Sequence, residues 1–151
     1  MSLAFKQPVS VLVVIHTPQL DVLLLERAGN PGLWQSVTGS REGEEALAAT
    51  AIREVSEETG IQAPPDALVD WRLANRFPIL QRWRGRYAPG VTHNTEHVFS
   101  LCVPQTVPTR IAPDEHTASL WLPWQDAAVK VFSWTNRDAI RLLAHNLSAP
   151  G

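Results

Sequence analysis

Residues 39–61 of the chain, GSREGEEALAATAIREVSEETGI, combine a helical pattern with a high density of acidic side chains. The pattern over residues 44–59 is helical, and Gly60 is well placed to end the helix, because glycine readily adopts the left-handed conformation found there. Apolar residues such as Ala51 and Val55 fall on one arc of this helix and can pack on a sheet. The stretch therefore predicts an amphipathic helix with one face against the core.

Three carboxylates lie on the polar face of the predicted helix. With about 3.6 residues per turn, Glu54 and Glu58 lie one above the other and Glu57 lies just beside them. No lysine or arginine is expected among them at helical contact spacing, although a solvated face would normally intersperse such residues to offset like charges. We expect Glu54 and Glu58 to face solvent and a bound cation rather than the core.

Clustered carboxylates of this kind are typical of a site for a hard divalent cation. Mg²⁺ fits best, with Mn²⁺ as a substitute, because Mg²⁺ takes a few carboxylates and shares phosphate oxygens with a substrate. The chain has neither the spacing of a calcium loop nor a histidine and cysteine set with zinc spacing. A merely solvated acidic face is the alternative interpretation.

The net charge of −2 hides a segregation of charge along the chain. Five of the eleven arginines fall within residues 72–86, well apart from the acidic stretch. An anion site beside a cation site would suit a metal-dependent enzyme that acts on phosphates. The acidic balance argues against binding to nucleic acid or to an acidic membrane.

The 151 residues fit one domain, residues 1–151, with 44% hydrophobic and 19% charged residues. A single cysteine, Cys102, and a start that does not resemble a signal peptide favour the cytoplasm. The order of elements predicts an α/β or α+β domain with a mixed sheet. We predict strands at 9–15, 21–27, 34–38, 67–77, 96–103 and 119–122, and helices at 44–59, 126–132 and from 135 on, the last opened by a Thr135–Asp138 capping box.

Residues 39–61 closely resemble the Nudix box, Gly-x5-Glu-x7-Arg-Glu-U-x-Glu-Glu-x-Gly-U, where U is a bulky aliphatic residue. The match holds at every fixed position, namely Gly39, Glu45, Arg53, Glu54, Val55, Glu57, Glu58, Gly60 and Ile61. The resemblance implies an α/β/α sandwich around a central mixed sheet. It also implies hydrolysis of a phosphoanhydride in a nucleoside-diphosphate-like compound, with magnesium as the cofactor.

The same resemblance implies roles for individual residues. Glu54 and Glu58 are expected to be the principal metal ligands, and Glu57 a further ligand or the group that polarises water. Arg53 is expected to orient the carboxylates by salt bridging. Glu45 is expected to hold the loop–helix–loop together. Nudix enzymes often recruit another carboxylate from outside the box; Glu115 is the first candidate and Glu96 a weaker one. Which of Glu57, Glu96 and Glu115 activates water stays open.

Segments outside the box resemble the bacterial members of the family that hydrolyse dihydroneopterin triphosphate to the monophosphate and pyrophosphate in folate biosynthesis. These segments are residues 6–15, 34–40, 86–92, 94–96 and 132–137. Contacts to phosphates or to the polar edge of the pterin are expected from Lys6, Arg27, Thr38 and Ser133, and a lining for its flat ring from Phe77, Pro78, Ile79 and Leu80.

The expected partner is thus a small-molecule pterin or nucleoside triphosphate, with no nucleic acid, membrane or obligate protein partner. A general nucleoside triphosphate pyrophosphatase and a dinucleoside polyphosphate hydrolase are alternatives on the same scaffold. A non-catalytic Nudix-like domain that senses nucleotides is a third.

Overall fold

The computed structural model describes residues 5–148, so the ends of the predicted 1–151 domain lie outside the described residues. The strands are β1 (Val9–His16), β2 (Asp21–Arg27), β3 (Trp34–Gln35), β4 (Val37–Ser40), β5 (Leu68–Pro78), β6 (His93–Cys102) and β7 (His116–Pro123). The helices are α1 (Leu47–Thr59), α2 (Trp124–Lys130) and α3 (Trp134–Ser148), with 3₁₀ turns at Pro65–Ala67 and Gln81–Arg86.

The strands form one mixed sheet. Its main order is β3-β2-β1-β6-β5; β4 pairs with β1, and β7 pairs with β2. β1 runs parallel to β6 and antiparallel to β2 and β4. β1 is apolar along nearly its whole length because it lies inside the sheet, with both faces covered.

Alternate residues of β1 belong to different cores. Val11 and Val13 pack in one cluster with Val55 of α1, whereas Leu12 packs in a second cluster with Ile140 of α3. Helices therefore cover both faces of the sheet, which confirms the predicted α/β/α sandwich. No helix among residues 5–148 has the length and apolar character that crossing a membrane requires.

The end of α1 is as predicted, and its start is not. Gly60 adopts φ +78°, and its N–H donates to the carbonyl of Ser56. The helix begins at Leu47 rather than at residue 44, because Glu45 belongs to the preceding loop and its carboxylate accepts a hydrogen bond from the backbone N–H of Glu42.

Other local predictions also differ from the structure. The single strand predicted at 34–38 is interrupted at Ser36, whose N–H donates to the side chain of Asn136 in α3. The predicted capping box is also wrong, since α3 begins one residue earlier: Ser133 Oγ accepts the hydrogen bond from the N–H of Asn136. β6 and β7 each begin three residues before the predicted starts at 96 and 119.

Candidate active site

Arg53 connects the loop before α1 to the acidic face of the helix. Its Nε and Nη2 donate to the Glu45 carboxylate at 2.8 and 2.9 Å, and Nη2 also donates to the Ser40 carbonyl. Its Nη1 lies 2.9 Å from Glu54 and 3.3 Å from Glu57. The prediction that no arginine stands at contact spacing was therefore wrong, because Glu57 is one helical turn from Arg53.

The ion pair between Arg53 and Glu45 shifts the pKa of both groups. Hydrogen bonds from Arg53, and then from the backbone of Glu42, lower the pKa of Glu45 to about 2. Glu45 in turn raises the pKa of Arg53. Both groups thus stay charged at any physiological pH, and the forked contact fixes the guanidinium in place.

Glu54 and Glu58 are buried, contrary to the expectation that they face solvent. Their exposed fractions are 8% and 1%, whereas the side chain of Glu57 is half exposed. Burial, followed by the proximity of Glu54, raises the pKa of Glu58 well above its usual range. Neither carboxylate oxygen of Glu58 has a hydrogen-bond partner among the described residues. An ionised carboxylate buried in this way is costly, and a cation in the space beside it would offset that cost.

β7 brings two further side chains to Glu58. Exposed Glu115 directly precedes this strand, and buried His116 begins it, with Nε2 3.5 Å from Glu58 Oε1. One ligand atom from each of Glu58, Glu115 and His116 lies within 4.8 Å of the others. Sequence reasoning missed His116; its position next to Glu115 was the available signal.

The chemistry of this group fits a divalent cation. Burial and the nearby Arg27 lower the pKa of His116 to about 4, so its imidazole is neutral and carries a lone pair. The two carboxylates suit Mg²⁺ or Mn²⁺, which prefer oxygen ligands. Glu58, Glu115 and His116 line a cavity of about 620 Å³ together with Glu54 and Glu57. We call it the acidic cavity.

A second cavity, of about 390 Å³, adjoins the acidic one and has an apolar lining. It includes the four residues predicted to line a ring site, Phe77, Pro78, Ile79 and Leu80. Trp83 and Phe132 also line it, edge to face with centroids 6.2 Å apart, and were not predicted. We call this the apolar cavity. Its volume is within the usual range for small-molecule sites.

Three basic side chains, Lys6, Arg27 and Arg86, line both cavities; we call them the basic strip. Desolvation and then the charge of Arg86 lower the pKa of both Lys6 and Arg27. The strip is held in part by stacking, since the guanidinium of Arg27 lies 4.4 Å from the ring centroid of Trp83. Mutually repelling cations between two cavities are suited to an anionic ligand that spans them.

The remaining predicted residues line these cavities in different places. Thr38 of β4 lines both, and Ser133 lines the apolar cavity as well as capping α3. Glu96, weighed above as a further metal ligand or water activator, lies on β6 and lines the apolar cavity instead.

Comparison with known proteins agrees with this architecture. The family model for the NUDIX domain matches residues 6–143. The chain is 43% identical over 145 residues to "Dihydroneopterin triphosphate diphosphatase" of Escherichia coli K12, covering 94% of this chain and 95% of the relative. It is 37% identical to the Haemophilus influenzae protein of the same name, covering 97% and 94%.

A solved structure of the E. coli dihydroneopterin triphosphate pyrophosphohydrolase superposes with a TM-score of 0.88 at 41% identity, covering 95% of this chain and 99% of that one. The family match covers far more than half of the chain, and the relatives are matched over nearly their whole length. The chain therefore belongs to the Nudix hydrolase family.

Proposed function

We propose that this protein is a Mg²⁺-dependent enzyme that hydrolyses dihydroneopterin triphosphate to dihydroneopterin monophosphate and pyrophosphate. The observation that carries the proposal is the junction of an acidic and an apolar cavity along the basic strip. The names of the E. coli and H. influenzae relatives point to the same substrate. We propose one domain over residues 1–151, and a cytoplasmic location in keeping with the single Cys102.

The two cavities would receive opposite ends of the substrate. The flat ring would enter the apolar cavity, which the Phe77–Leu80 segment and Trp83 help to line. The triphosphate would then lie along Lys6, Arg27 and Arg86, whose positive charges compensate its negative charges.

Glu54, Glu58 and Glu115 would hold the divalent cation, with His116 as a further donor. When bound, the cation offsets charge on the phosphate oxygens and lowers the pKa of a bound water. Arg53 is a positioning residue, because it holds Glu54 from the loop side without lining either cavity. Glu57 and Glu115 are exposed carboxylates at this site, so each is a candidate to accept a proton from the attacking water.

The test supplies purified protein with Mg²⁺ and either dihydroneopterin triphosphate or dATP, and measures pyrophosphate and inorganic phosphate separately. We expect stoichiometric pyrophosphate from the pterin compound and a kcat/KM well above that for dATP. Glu54→Gln should abolish most of this activity, while Glu44→Gln, on an exposed loop, should keep it. Preference for dATP, or release of single phosphates alone, would contradict the proposal.

A further inference from the structure

Glu96 is a buried carboxylate to which the proposed phosphate hydrolysis assigns no role. It lies on β6, is 6% exposed, and lines the apolar cavity rather than the acidic one. Its Oε1 has no hydrogen-bond partner among the described residues. A buried, unsatisfied acceptor is costly, so its presence in a cavity calls for a ligand that donates to it.

A second unsatisfied acceptor stands beside it. Asn94, two residues earlier on β6 and therefore on the same face, is also 6% exposed and lines the same cavity. Its amide nitrogen donates to Ser10 Oγ at 2.7 Å, and its Oδ1 is left without a partner in the described chain. Glu96 and Asn94 thus each present an unsatisfied acceptor to the apolar cavity, and a ligand that carries hydrogen-bond donors would satisfy them.

We propose that Glu96 is the residue that selects the ring of the substrate, by accepting hydrogen bonds from the N–H groups along the edge of a 2-amino-4-oxopyrimidine. That edge carries a ring N–H next to an exocyclic amine, and a carboxylate can accept from both at once. The assignment deepens the proposed function and rests on it. Adenine lacks such a pair of donors, so the same contact would disfavour adenine nucleotides.

The electrostatics of Glu96 agree with this role. Burial raises its pKa to about 7, and a side-chain hydrogen bond with Thr135 opposes the rise. Donors from a ligand would favour the ionised form, which makes the contact charge-assisted and stronger than a neutral hydrogen bond. A ring that fills the apolar cavity would displace water that otherwise competes for the carboxylate.

The test uses ring compounds alone, pterin and lumazine, so that it depends on neither phosphate nor metal. Lumazine carries an oxygen where pterin carries the 2-amino group, which replaces a donor by an acceptor. We expect the wild-type protein to bind pterin about 10- to 100-fold more tightly than lumazine, the range for hydrogen bonds to a charged group. Glu96→Gln should reduce this preference to within about 3-fold, and Glu44→Gln should leave it unchanged.

Circular dichroism checks that each variant is folded. Glu96→Asp provides a second variant, since it keeps the charge but withdraws the oxygens by one methylene; it should weaken pterin binding while the protein still melts cooperatively. Equal affinity of the wild-type protein for the two rings, absence of pterin binding, or an unchanged preference in folded Glu96→Gln would overturn the assignment.

The same experiment separates this inference from the proposed reaction. Pyrophosphate release from dihydroneopterin triphosphate, with no discrimination between pterin and lumazine, would overturn the role of Glu96 and keep the reaction. Strong discrimination that depends on Glu96, without pyrophosphate release, would support the ring contact and overturn the reaction.

Discussion

Gly39 lies directly against the carboxylate of Glu54, so closely that a β-carbon at position 39 would overlap it. Glycine is required here for close approach and not for an unusual backbone angle, because Gly39 does not adopt a positive φ. The contact lets a buried carboxylate of α1 rest on β4 while it lines the acidic cavity. The absence of a side chain at Gly39 thereby allows Glu54, a proposed metal ligand, to occupy its position.

Replacement of Gly39 by alanine should displace Glu54 and reduce activity while preserving the fold. A shift of about 1 Å at a catalytic group can lower the rate by about 100-fold, and we expect a fall in kcat/KM of that order. Pyrophosphate release measures it. Gly85→Ala is the matched control, because a β-carbon there meets no described atom within 4 Å and the residue does not adopt a positive φ. Equal activities of the two variants would contradict the contact's importance.

Replacement of Arg53 by lysine should raise the Mg²⁺ concentration needed for half-maximal activity. Lysine cannot reproduce the fork to Glu45 together with the contacts to Ser40 and Glu54. We expect kcat to fall by about 10-fold or more, since the carboxylates lose their orientation. Arg137→Lys is the control, because Arg137 pairs with its neighbour Asp138 on the surface. A loss of thermal stability without a change in the Mg²⁺ requirement would show that Arg53 is only structural.

The local features of the site could be predicted from sequence. Gly60 ends α1 because helix termination depends on one backbone conformation, and Glu54 and Glu58 share a face because helical geometry fixes their spacing. The burial of Glu58 could not be predicted, because His116, which lies against it, belongs to β7 and is distant in the chain. The interruption of the strand at Ser36 could not be predicted either, since its hydrogen-bond partner Asn136 belongs to α3.

Replacement of Glu96 by glutamine should make the protein more stable relative to the wild type as the pH rises. The pKa of Glu96 is raised from 4.5 to about 7 in the folded state, so its protonated form favours folding below pH 4.5 and this contribution is lost as the pH rises to about 7. Glutamine does not titrate, so the stability difference between variant and wild type should grow by about 3 kcal/mol over this range.

Urea unfolding at pH 4.5, 6 and 8 measures the effect. Glu44→Gln, at an exposed position, should show no such trend. A constant difference across these pH values would contradict the burial of an ionisable carboxyl at position 96.

Calorimetric titration of Mg²⁺ and of Mn²⁺ into the purified protein examines the proposed cation site without any substrate. Wild-type protein and Glu44→Gln should each show saturable uptake, and Glu58→Gln should weaken it by at least about 10-fold, because a neutral amide replaces the buried, unpartnered carboxylate. Equal uptake by wild type and Glu58→Gln, or no uptake by the folded wild type, would contradict a divalent cation held by Glu58.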